Sequence, residues 1–176
     1  MLRVLILSSL VALSSAACGF PNGTDKAIVW WQGATTAKVT FTQLNPIDDN
    51  GNSIYPISLT KPLKIATHLI NNQNEFTKGN LIQDIKIYEY SGWASCSWSE
   101  IPTFGLLSNL DACSNGIPCP VPLGEQDLLV TLDFTEFKSI ISLLTNDAPY
   151  QLEMKLTDKS SGTYVTIVTE ARAETK

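Results

Sequence analysis

Few residues in this chain could make or break a bond, and their spacing argues against most chemistries. His68 is the single histidine among 176 residues, so a serine nucleophile, a zinc site or a proton relay would each depend on it. It falls between Thr67 and Leu69 in the alternating stretch KIATHLI, where a surface or structural imidazole is the simpler expectation. Gly92-Trp93-Ala94-Ser95-Cys96 starts like a G-x-S-x-G nucleophile elbow but has a cysteine where the second glycine should stand. Asp48-Asp49-Asn50-Gly51-Asn52 carries acidic side chains spaced like a calcium loop. Its glycine comes too early, however, and Leu59 occupies the bidentate glutamate position. No glycine-rich phosphate loop occurs, and no Cys/His spacing suits zinc. The chain therefore reads as non-enzymatic, with no cofactor and no metal.

The four cysteines offer oxidation instead. Arg3 precedes the apolar run Val4 to Leu13, and Ser15 and Ala17 sit at the −3 and −1 positions of a cut before Cys18. The run is too short for about 30 Å of hydrocarbon and has the layout of a secretory signal peptide. Residues 1–17 are thus expected to be removed, leaving 18–176 as one domain. Without Arg3 the charge becomes −6, from 11 Lys+Arg and 17 Asp+Glu. Exported thiols oxidise, and four cysteines allow three pairings. Cys113 and Cys119 enclose Ser-Asn-Gly-Ile-Pro, where Gly116 and Pro118 let the backbone reverse, so these two are paired. Cys18 and Cys96 are then either joined or free. A link between them would remove about 4–5 kcal/mol of unfolded-chain entropy on loop-closure grounds. Asn22-Gly23-Thr24 is an N-glycosylation acceptor.

The elements that would position these groups read as β throughout. Lys38–Leu44, Lys64–Ile70, Leu81–Tyr90, Leu128–Phe134, Gln151–Leu156 and Tyr164–Thr169 alternate or run apolar between turn residues. Asn50-Gly51 predicts a type I′ turn, and Asp158 to Gly162 predicts the turn of a C-terminal hairpin. Six to eight strands without βαβ spacing predict an all-β, two-layer β-sandwich. Two stretches depart from this. Trp93 to Asp111 is rich in apolar residues, and Phe134, Phe137, Ile140, Ile141 and Leu144 recur at helical spacing behind the capping pair Asp133 and Glu136. Composition agrees with a large apolar interior: 44% of residues are hydrophobic and 16% charged, against about 25% charged in an average domain. A pI near 4.8 leaves no electrostatic footprint for nucleic acid.

Asp111-Ala112-Cys113-Ser114-Asn115-Gly116-Ile117-Pro118-Cys119-Pro120 resembles the D-x-C-x-x-G-I-x-C-P stretch of the ML (lipid-recognition) domain family. Tyr88 to Cys96 with Trp98, the Cys-Pro loop and Pro122-Leu123 resemble its ganglioside activator branch. The Tyr150 to Val168 stretch is similar to the family's closing hairpin. Cys18-Gly19 after a signal peptide is similar to the sterol-carrying members of the Niemann-Pick type C kind. The resemblance is carried by the half from about Leu81 onward. It implies an immunoglobulin-like two-sheet β-sandwich with a lipid cavity between the sheets. It further implies a secreted or lysosomal protein that binds and transfers glycolipid, phospholipid or sterol, touches a membrane surface transiently, and in the activator branch presents lipid to a lysosomal hydrolase. In the family the first cysteine usually bonds one in the last strand. Tyr164 to Thr169 has none here, which leaves Cys96 as the partner of Cys18. The activators' extra cysteine loop is also missing around Gly124 to Leu128.

On this reading the cavity walls are Ile85, Ile87, Val130, Leu132 and Met154. The mouth is Trp93, Trp98, Phe104, Leu107, Ile140 and Leu144, with apolar surface able to enter a membrane. Ordinary core packing is the competing expectation for both groups. An extracellular recognition module that binds a protein or receptor is the competing function.

Overall fold

The computed structural model describes residues 18–176; the expected signal peptide lies outside the described residues. The chain forms β1 (Val29–Thr35), β2 (Val39–Ile47), β3 (Ile57–Ser58), β4 (Leu63–Asn71), β5 (Leu81–Ser91), β6 (Ser97–Glu100), β7 (Leu110–Asp111), β8 (Gly124–Leu132), β9 (Ala148–Asp158) and β10 (Tyr164–Glu174). One sheet runs β1-β10-β9-β5-β6, with β3 on the end of β10 and β7 on the start of β5; the other is β2-β4-β8. All pairings are antiparallel except the two-residue β3–β10 contact. The fold is the expected all-β, two-sheet sandwich. Among the described residues, no helix is long and apolar enough to cross a membrane.

Period-2 patterning explains which faces meet. In β4, Leu63, Ile65, Thr67 and Leu69 are buried while Lys64, Ala66, His68 and Ile70 are only partly so, which is what one packed face and one wetted face require. On β10 Val165, Ile167, Ala171 and Ala173 face the second sheet. Thr166, Val168 and Glu170 on its other face are buried too, with Asn22 of the N-terminal segment donating from Nδ2 to Glu170 Oε2 at 2.7 Å.

Both disulfides are formed, Cys18–Cys96 and Cys113–Cys119. The first ties residue 18 to the β5–β6 turn, 78 positions away. The second closes a loop whose Gly116 carbonyl accepts from Thr131 N at 2.9 Å, docking it on β8. Asp111 holds the near end of that loop, accepting from Ser114 N at 3.0 Å and Gly79 N at 2.7 Å. Desolvation pushes the Asp111 carboxyl up, but the N–H groups of Ser114, Gly79 and Cys113 more than offset it and keep the carboxyl below its ordinary value.

Two local expectations change, and one strand is added. The Asp48–Asn52 turn is not type I′, because only Gly51 takes a positive φ, at 83°. Asp48 Oδ1 accepts from the N–H groups of Asn50 and Asn52, and this side-chain turn sets the backbone instead. The helical pattern after Asp133 becomes a 3₁₀ turn at Phe134–Phe137 and one α turn, α1 (Lys138–Ile141), with Asp133 accepting from Thr135 N. Finally, Val29–Thr35 was without strand signal yet forms β1 against β10.

His68 lies on the outer face of the smaller sheet. Its Nδ1 is 2.7 Å from Asp127 Oδ1 and its Nε2 3.0 Å from Glu125 Oε1, both acids being on β8. The hydrogen bond to Asp127 dominates and raises the imidazole above its ordinary value, desolvation opposes it, and Glu125 adds to the rise. A raised folded value means that the stabilisation is complete below about pH 6.5 and is lost as pH rises through the folded value. His68→Gln should therefore lower Tm at pH 5.5 and do so less at pH 8.5. A Tm difference independent of pH would refute the pairing.

Candidate functional site

Between the sheets lies a cavity of about 100 Å³. A single water needs about 10–15 Å³, so the void has room for several. The smaller sheet contributes Phe41, Leu44, Ile65, Val130 and Leu132; the larger contributes Ile87, Leu152, Met154, Leu156 and Ile167. Thr67, Thr169 and Tyr150 bring the hydroxyls of the lining. The Tyr150 hydroxyl is engaged elsewhere, donating to Thr145 O at 2.8 Å with Glu89 Oε1 at 3.3 Å. Burial first, then the Glu89 carboxylate, pushes that phenol far above its ordinary value, so it stays neutral. A space walled this way stays dry and favours apolar occupants.

A second void of about 40 Å³ continues toward the β4–β5 end, lined by Val39, Leu69, Phe76, Leu81 and Val121 among others. Phe41, Ile117, Val130 and Leu156 line both voids. They form the partition, and Ile117 comes from the Cys113–Cys119 loop.

A third space, a cleft of about 240 Å³, opens where β5 and β8 face each other. It shares Leu132 and Phe134 with the inter-sheet cavity. Gln83, only 1% exposed, lines it. Its Oε1 has no hydrogen-bond partner among the described residues, a burial that costs about 1–3 kcal/mol when left unsatisfied.

The expected site residues separate into groups. Ile87, Val130, Leu132 and Met154 line the inter-sheet cavity, as does Leu144. Ile85 instead faces the cleft. Leu107 and Ile140, expected at an open mouth, are each 1% exposed. The Leu107 carbonyl accepts from Ile85 N at 2.9 Å, which pulls its loop against the strand and buries the side chain. Ile140 faces inward from α1. Trp98 is half-buried against Tyr90, ring centroids 5.1 Å apart. Trp93 and Phe104 are exposed, at 88% and 83%, but do not form one rim. Trp93 occupies the β5–β6 turn beyond Ser91, whereas the loop of Phe104 docks at Ile85, roughly 20 Å back along β5 at strand rise.

Asn22 is exposed as a residue, but Thr24 of the same acceptor triplet is fully buried, its Oγ1 donating to Pro21 O at 2.6 Å. The residues that sequence reasoning missed are Phe41, Ile117 and Gln83. Gln83 had a legible signal. In LIQDIKIYEY it shares a face with Leu81, Ile85 and Ile87, where an amide is out of place.

No family model matches the sequence. No curated protein matches it either. Among solved structures, a Niemann-Pick type C2 protein from Japanese carpenter ant is similar to this chain, with a TM-score of 0.47 and 11% sequence identity. The match covers 83% of this chain and 99% of that one.

Proposed function

We propose that this protein binds a lipid chain in the cavity between its sheets and carries it as a soluble complex. The observation behind the reading is the void of about 100 Å³ whose lining from both sheets is almost wholly hydrocarbon. Each methylene withdrawn from water contributes about 0.8 kcal/mol, so a long chain binds such a slot without ion pairs or metal. The neighbouring 40 Å³ void lengthens the path if the Phe41, Ile117, Val130 and Leu156 partition yields. On this reading no residue performs bond chemistry, and His68 serves the outer face of the smaller sheet.

Phe104, at φ 51°, and Leu106 stand exposed on the loop that also supplies Leu107 to the cleft. They are the apolar surface best placed to touch a membrane during uptake. Two disulfides suit a secreted or lysosomal setting. On the way there a glycan on Asn22 would be added before Thr24 packs away. Transfer between membranes, and presentation of the lipid to a hydrolase, extend the same proposal.

The test is uptake of the neutral dye N-phenyl-1-naphthylamine by the purified protein, followed by displacement with monopalmitoylglycerol. Saturable fluorescence enhancement at one site, reversed by the lipid, is expected. No enhancement, or enhancement that lipid leaves untouched, would defeat the reading.

A further inference from the structure

We infer that the cleft beside the cavity seats the polar end of the bound lipid and selects a head that carries hydrogen-bond donors and no negative charge. This rests on the reading that the cavity holds the chain. Cleft and cavity share Leu132 and Phe134 as their common wall, so a molecule lying across that wall has its tail in hydrocarbon and its head in the cleft.

The cleft's chemistry sets the head. On the inward face of β5, Gln83 follows Leu81 and precedes Ile85 and Ile87. A leucine there would serve packing, yet the position holds a buried amide oxygen with no donor among the described residues. An acceptor so placed is satisfied by a hydroxyl or amide N–H on a ligand. The rest of the polar lining comes from Ser114, Asn115, Thr131, Asp133 and Glu136, with two carboxylates and no lysine or arginine. A phosphate or carboxylate head would face Asp133 and Glu136 with nothing to balance it. The other opening next to the cavity has the opposite character. It shares Leu59 and Leu144 with the cavity and is lined by Lys138 and Lys176, so an anionic head would go there.

The experiment compares three probes with one sixteen-carbon chain on the full protein at pH 8: monopalmitoylglycerol, N-palmitoylethanolamine and palmitate, each displacing the neutral dye. One or two charge-free hydrogen bonds predict that the first two bind at least about fivefold more tightly than palmitate. Gln83→Met, which keeps the volume and removes the acceptor, should bring the neutral probes down toward palmitate. Asp133→Asn with Glu136→Gln, both on the exposed rim, removes the two negative charges and should strengthen palmitate, narrowing its gap to the neutral probes. Palmitate binding as well as the neutral probes would overturn the head assignment and point to the Lys138 opening. A folded Gln83→Met protein that keeps the full preference would overturn it equally. If no probe binds at all, the cavity reading itself falls; binding without discrimination removes only the head assignment.

Discussion

Replacing Val130 with phenylalanine is expected to weaken binding of a sixteen-carbon chain about a hundredfold while Tm holds or rises. Val130 is on β8 in the centre of the site. Its side chain lines both the 100 Å³ cavity and the 40 Å³ void beyond it. A phenyl ring there fills space that three or four methylenes of a ligand would otherwise take. At about 0.8 kcal/mol for each methylene, exclusion costs the complex roughly 2.5–3 kcal/mol, or close to two decades in Kd. Enlarging a side chain in a well-packed core costs about 1–3 kcal/mol, but here the ring enters a void and gains contacts on its far side. Leu129→Phe is the matched control, since Leu129 is 48% exposed on the opposite face of the same strand; its Kd should stay at the parent value. Equal binding by Val130→Phe and the parent protein would move the ligand out of the inter-sheet space.

Gly116→Ala is expected to destabilise the fold by about 4–6 kcal/mol, or to prevent its accumulation. Gly116 has φ 108°, and an added Cβ would lie 2.0 Å from the Thr131 carbonyl oxygen of β8. The left-handed conformation alone costs an alanine about 1–2 kcal/mol. Relieving the clash also means lifting the loop, which loses the Thr131 N to Gly116 O bond and uncovers Ile117, 6% exposed and part of the cavity partition. Denaturant unfolding measures the loss. Gly162→Ala is the comparison: its φ is 70°, but nothing stands within 4 Å of the added Cβ, so only the conformational cost of about 1–2 kcal/mol applies. Equal losses for the two variants would show that the loop is not pressed on β8 as described.

The Lys64–Ile70 stretch with Ile65, Thr67 and Leu69, and the alternation of Leu152, Met154 and Leu156, were enough to read β4, β9 and the two-layer fold from the sequence. Local pattern suffices where a strand has one buried face. It fails for β1, an edge strand with no fully buried residue, where nothing demands that Trp30-Trp31-Gln32-Gly33 alternate. The wall residues Ile87, Val130, Leu132 and Met154 were legible for the same reason as the strands, since inward faces of opposed sheets must border whatever space separates them. The mouth was not. Whether Leu107 is buried or Phe104 exposed depends on how one loop docks at Ile85, a contact 22 positions from Leu107 in the chain. Apolar content alone does not carry that information. The short Cys113–Cys119 bridge followed from spacing, and its role in holding Ile117 against the cavity came only from the structure.

Central to this account is that the space between the sheets holds a lipid chain. The most direct measurement is native mass spectrometry of the protein purified from a eukaryotic secretory host, with Val130→Phe prepared in parallel. One bound amphiphile per chain with an uncharged head is expected, released on denaturation and missing from the variant. A parent protein that flies only at its unliganded mass, and still does so after incubation with lipid vesicles, would contradict it.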